Sequence, residues 1–93
     1  MERSLRIMPY AQAKVRNYGD IDRDLIVLQS YKTDVIYIDN GWLSCTGLYS
    51  MTTRKHISAF MREYGNGFTF HDVKKAYEGN YELNITTGEI RRH

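Results

Sequence analysis

His56 has the most chemical potential in this chain, because it closes a run of hydroxyls and cations: Tyr49-Ser50-Met51-Thr52-Thr53-Arg54-Lys55-His56. If this run opens a helix, Ser50 or Thr52 can cap it by accepting from a backbone N–H that has no partner in the first turn. Arg54 and Lys55 then stand at the positive end of the helix dipole, where cations are disfavoured by about a few tenths of a kcal/mol. Capping does not require them. The plainer reading leaves both solvated, with His56 packed against a neighbouring element. The sharper reading is a binding surface for an anion, a nucleic acid or a partner, because N-terminal N–H groups and the dipole attract negative charge. That surface would comprise Tyr49, Ser50, Thr52, Thr53, Arg54, Lys55, His56 and, further along the same helix, Arg62.

Other chemistry is sparse. The histidines are His56, His71 and the terminal His93, and there is one cysteine, Cys45. Zinc needs about four such ligands at short spacings, and neither a CxxC nor an HxxxH pair is present. Cys45 falls inside an expected strand, where a free thiol acts as a small hydrophobe rather than a nucleophile. No nucleophile elbow, Walker loop or dinucleotide-binding glycine pattern occurs. Asp20, Asp22 and Asp24 alternate, but without the glycine and distal Glu of a calcium loop they read as a solvated turn. The expectation is a protein that is not an enzyme and takes no metal or cofactor. An enzyme using His56 with Ser50 or Tyr49 is the least favoured alternative.

The elements that must position the junction follow from periodicity. Residues 10–18 alternate small or apolar with polar side chains, which suits a half-buried strand, although Pro9 and the Ala, Gln, Lys and Arg content also fit a helix. Gly19 to Asp24 is turn chemistry. Leu25–Tyr31 and Thr33–Asp39 are apolar and β-branched runs of strand length. Asn40-Gly41 is the pair preferred by a two-residue hairpin with positive φ at both positions, with Trp42–Thr46 as the partner strand. The period then changes: Thr53, Ile57, Phe60, Met61 and Tyr64 share one helical face, and Gly65-Asn66-Gly67 is a helix stop. His71–Glu78 reads as a short second helix closed by Gly79. Tyr81–Ile85 alternates, which fits either an edge strand or a loosely held tail. The expected architecture is α+β: an antiparallel sheet of three to five strands, a main amphipathic helix over about 51–64 packed on one face, and a short helix over about 71–78.

Ninety-three residues make a single domain over 1–93, since independent cores need roughly 50 to 150 residues. The hydrophobic fraction of 42% and the eight tyrosines argue against disorder. Those tyrosines either cap a small core or line a binding surface, where Tyr is enriched. The net charge of +2 singles out no class of partner. A lone cysteine, no apolar run near the roughly 20 residues of a membrane span and no apolar stretch after the N-terminus lead to an expected cytoplasmic location.

Two segments carry a resemblance: Ser30-Tyr31-Lys32-Thr33-Asp34-Val35, and Tyr49-Ser50-Met51-Thr52-Thr53-Arg54-Lys55-His56-Ile57-Ser58-Ala59-Phe60. They resemble a family of small uncharacterised proteins of bacteriophages, prophages and plasmids, with motifs Ser-Tyr-x-Thr-x-Val and Tyr-Ser-x-Thr-Thr-x-x-His-Ile-x-x-Phe. The likeness covers about residues 25–64. It implies a mobile-element setting and no activity. In that setting the expectation is a monomeric or homodimeric accessory protein that binds a host or defence complex, of the anti-CRISPR or anti-defence type, and stays off membranes. The alternative is a nucleic-acid-binding accessory protein using the basic helix 51–64, with Lys74-Lys75 and Arg91-Arg92 as further basic pairs.

Overall fold

The computed structural model describes residues 2–4, 12–19, 24–48 and 50–92. Within them one antiparallel sheet runs in simple chain order: β1 (Glu2–Ser4), β2 (Ala13–Asn17), β3 (Leu25–Ser30), β4 (Thr33–Asp39), β5 (Trp42–Cys45), β6 (Tyr81–Asn84) and β7 (Ile90–Arg92). Two helices, α1 (Met51–Tyr64) and α2 (Phe70–Gly79), form the connection between β5 and β6. The fold is therefore α+β, with seven strands where three to five were expected. The segment read as an edge strand or a loose tail is the strand β6, and the extra strands are β1 and β7, each three residues long and too short for alternation to announce them. The ambiguous segment near residue 13 is a strand. Pairing of Ala13 and Val15 with Ser30 and Leu28 turns its small residues inward, and both are nearly inaccessible. Pro9, Tyr10 and Ala11 lie outside the described residues, as do Asp20, Asp22 and His93.

The helices cover one face, with α1 resting on β3 and α2 on β5 and β6. Ala13, Val15, Leu28, Ile36, Ile38 and Leu43 meet Ile57, Phe60, Met61 and Val73 in the core. A register shift opposite Leu28/Gln29 gives β4 one extra residue, so Val35 and Ile36 both reach zero exposure and join the same core. A bulge does this by letting two residues oppose one on the partner strand. On the uncovered face Arg16 pairs with Asp34, and the Arg91 guanidinium lies 4.2 Å above the Trp42 ring.

Turns and helix ends follow local chemistry. Asn40 and Gly41 have φ of 51° and 89°, as the hairpin pair requires. The stop after α1 divides its tasks. Asn66 and Gly67 take positive φ, while Gly65 is right-handed and is needed for space, since a Cβ would press on the backbone oxygens of Met61 and Phe68. α2 begins in a capping box in which Thr69 N–H donates to the Asp72 carboxylate at 2.8 Å. Its left-handed cap is Asn80, φ 57°, rather than Gly79. Among the described residues no helix is long and apolar enough to cross a membrane.

Candidate functional site: a buried hydroxyl–imidazole chain

Strand parity puts Ser30, the last residue of β3, on the face that carries Leu28 and meets α1. A polar side chain in that position must find partners or bear the cost of desolvation, on the order of 1–3 kcal/mol. α1 supplies them. Thr53 and His56 stand three apart and so share one side of the helix. Ser30 Oγ lies 2.7 Å from His56 Nδ1 and 3.0 Å from Thr53 Oγ1. Ser50, the N-cap, accepts from Thr53 N–H at 3.2 Å and donates its hydroxyl to Thr53 Oγ1 at 3.3 Å.

One assignment of protons satisfies the chain. Ser50 donates to Thr53, Thr53 to Ser30, and Ser30 to a neutral imidazole that accepts at Nδ1. Each hydroxyl then donates once, and such chains reinforce their members through polarisation. Ser30, Thr53 and His56 are 2%, 5% and 1% exposed. Burial lowers the His56 pKa below its usual 6.5, in keeping with that neutral tautomer, because a charged ring would lose its hydration. Cys45 responds to burial in the opposite direction: its thiol, which donates to the Gly47 carbonyl, is pushed up by desolvation, with a smaller opposing effect from the Gly47 backbone. It packs against the core as an inert group.

The sequence-identified surface thus separates into parts. Thr53 and His56 are interior. Ser50, Thr52 and Lys55 are exposed at the start of α1, beside Met51 at 68% exposure, and Arg54 is half-buried. Arg62 lies two turns further on, where it lines a different cleft of about 520 Å³ with Met61, Phe68, Phe70 and His71. Tyr49 lies outside the described residues. Among the described residues no group of three or more His, Cys, Asp or Glu could hold a metal ion.

Two participants escaped the list of site residues. Ser30 is one, and its place at the head of the Ser-Tyr-x-Thr-x-Val segment, at the end of an otherwise apolar run, was the available signal. Tyr31 is the other. It opens the two-residue connection from β3 to β4 with φ 57°, a conformation that bulky side chains seldom adopt. Its ring is half exposed, at 52%, and its centroid lies 5.7 Å from that of His56, tilted 44°. Tyr31 N–H donates to Gln12 O at 2.6 Å, and Gln29 Nε2 donates to Tyr31 O at 2.8 Å, so the turn is fixed from both sides.

The pieces of the two quoted motifs therefore meet. Ser30, Ser50, Thr53 and His56 form the polar chain, while Val35, Ile57 and Phe60 form the core beside it. A search of the curated proteins finds no match, and neither does a search of the solved structures. A family model does match, over residues 5–79, spanning β2 to α2 and with them the whole polar chain. On that match the chain belongs to a family of unknown function, DUF8033.

Proposed function

We propose that this chain is a small stoichiometric binding protein of a phage, prophage or plasmid that docks on a host or defence complex in the cytoplasm and modulates or inhibits it. The observation that carries this reading is the division at the junction. The groups capable of proton chemistry are consumed internally, with Ser30 held against His56 Nδ1 at 2.7 Å. The groups left outside are suited to contact: Met51, Thr52 and Lys55, on a helix with no acidic residue in its first turn. A cationic helix end around an exposed apolar side chain fits an acidic partner surface, where charge sets orientation and association rate. The resemblance to small mobile-element proteins supports the setting. An enzyme built on His56 gains little support, because a 1% exposed imidazole offers a substrate almost no access.

The test is capture from host lysate by the tagged protein, beside an Arg54→Glu/Lys55→Glu variant, followed by the stoichiometry of the reconstituted complex. A partner retained at a fixed ratio by the wild type and lost by the variant is the expected result. Equal capture by both, or elution of the wild type alone with every host nucleoprotein tried, overturns the reading. The second reading, a nucleic-acid accessory protein, is favoured by Arg62 in the last turn of the same helix. Salt-sensitive binding of labelled DNA or RNA that the same double variant abolishes would establish it, and none at low salt would reject it.

A further inference from the structure

We propose that the cleft between the C-terminal half of α1 and the start of α2 binds a small amphiphilic carboxylate, with its apolar body on Met61, Phe68 and Phe70 and its anionic head on Arg62 and His71. The site is separate from the exposed start of α1, and its test does not depend on that surface. The cleft measures about 520 Å³. Small-molecule sites span roughly 300–1,000 Å³ and join an apolar lining to a few convergent polar groups.

The polar groups of the lining converge and are uncommitted. Ser58 and Arg62 stand one helical turn apart on α1 and so share one side of it, and His71 lines the same cleft from the first turn of α2. Among the described residues none of these three side chains has a hydrogen bond or an ion pair. Every residue from 50 to 92 is described, so the neighbours of the lining along the chain are all in view. No carboxylate lines the cleft. Asp72, beside His71, is turned to the cap of α2, where it accepts from the Thr69 N–H at 2.8 Å and the Thr69 hydroxyl at 3.2 Å. Glu63, beside Arg62, has a buried Oε2. An anionic head therefore meets Arg62 without a competing acid, and the guanidinium fork matches the two oxygens of a carboxylate.

The apolar half is an independent observation. Phe68 stands in the connection between the helices and Phe70 opens α2, where a helix link would ordinarily carry small and polar residues. Both rings pack on the core from one side yet are only half-buried, so each leaves part of its surface to the cleft. Met61, 2% exposed, lies behind them, and its flexible thioether adapts to ligands of varied shape. A purely apolar ligand would leave Arg62 to water, and a bare anion would leave the two rings wet. One guanidinium and one imidazole suit a monoanion, whereas a nucleic-acid strand calls for a row of cations.

The test is a chemical-shift titration of the isotope-labelled protein with octanoate, hexanoate and octanol, each below its solubility or micelle limit. Octanoate should shift the amide signals of Ser58, Arg62, Phe68 and His71 in a saturable way. Loss of two methylenes weakens hexanoate by about 5- to 15-fold. Octanol, equal in chain but uncharged, binds about 3- to 10-fold more weakly than octanoate. Arg62→Gln weakens octanoate by the same factor, about 3- to 10-fold, and leaves octanol unchanged. Ser58→Phe fills the cleft and weakens all three ligands; Arg62 is exposed, so its variant decides the matter if Ser58→Phe does not fold. Arg54→Glu/Lys55→Glu leaves octanoate binding intact, which tells this cleft apart from the start of α1. The proposal is overturned if no ligand gives saturable shifts, if octanol binds as tightly as octanoate, or if Arg62→Gln responds like the wild type. It is also overturned if a peptide ending in a free leucine binds the cleft more tightly than octanoate, which would make the occupant the end of a partner protein.

Discussion

Ser30→Ala tests whether the hydroxyl–imidazole chain holds the helix to the sheet. The substitution removes one oxygen and leaves two buried hydrogen-bonding sites unsatisfied: His56 Nδ1, which loses its donor at 2.7 Å, and the Thr53 O–H, which loses its acceptor at 3.0 Å while Thr53 Oγ1 still accepts from Ser50 at 3.3 Å. Each orphaned buried group costs about 1–3 kcal/mol, so the expected destabilisation is about 3 kcal/mol. An exposed Ser→Ala change stays within about 0.5 kcal/mol. At roughly 0.05–0.15 kcal/mol per residue the whole domain has about 5–14 kcal/mol, so the variant remains folded and measurable. Urea unfolding followed by Trp42 fluorescence and circular dichroism reads the midpoint, and an unchanged slope confirms that stability alone has moved. A cycle with Thr53→Val adds a second constraint. Ser30 and Thr53 share one hydrogen bond, so the double variant should cost less than the two single changes added. A loss below about 0.5 kcal/mol for Ser30→Ala, or strict additivity in the cycle, would refute the assignment.

The imidazole also sets a pH dependence. Burial lowers the folded-state pKa of His56, so the unfolded chain binds the extra proton first, and stability falls as pH drops below the unfolded value of about 6.5. The slope cannot exceed about 1.4 kcal/mol per pH unit for one proton, and the urea midpoint of a His56→Gln variant should be flatter between pH 6.5 and 5. The helix stop gives a contrast between neighbours: Gly65→Ala meets the Met61 and Phe68 carbonyl oxygens and should cost about 3 kcal/mol. Gly67→Ala meets nothing within 4 Å and bears only the positive-φ cost of about 1 kcal/mol; a reversed order in thermal or urea unfolding would contradict this account of the turn.

How far the sequence disclosed this arrangement depends on how local each feature is. Asn40-Gly41 carried its own backbone preference, so the hairpin was readable without the rest of the fold. The bounds of α1 were readable because Ser50 caps it and the apolar stripe from Thr53 to Tyr64 has a helical period. β6 was half readable, since the alternation of Tyr81–Ile85 fitted an edge strand or a tail and pairing with β5 decides it; β7 was not, since three residues carry too little pattern and its place comes from pairing with β6. The inward turn of both Val35 and Ile36 was hidden for another reason: a bulge breaks the alternation that strand reading assumes. The site was half legible. The hydroxyls and His56 were recognised as a unit, but their partner lies across the fold on β3, where Ser30 stood in the other quoted motif with nothing local to join the two. Without that partner the choice stayed open between a binding surface and a packed His56 beside Thr53 on the apolar face, and the tertiary contact makes both interior.

The two hairpins of β3–β4 and β4–β5 make an internal comparison that bears on why the turn at Tyr31 is built as it is. Both are two-residue connections, and both place their first residue at positive φ, 57° at Tyr31 and 51° at Asn40. At the second, the chain uses Asn-Gly, which takes that geometry almost without penalty. At the first it uses Tyr-Lys, although a bulky L-residue there costs about 1–2 kcal/mol. Contact with the His56 ring returns only part of this, about 0.5–1.5 kcal/mol for an aromatic pair. Tyr31→Gly should therefore leave stability within about 1 kcal/mol of wild type, because relief of strain and loss of the ring contact nearly cancel. Urea unfolding measures the net change. A loss above about 2 kcal/mol would mean that the ring is a structural member of the core. A near-neutral result separates the residue from stability.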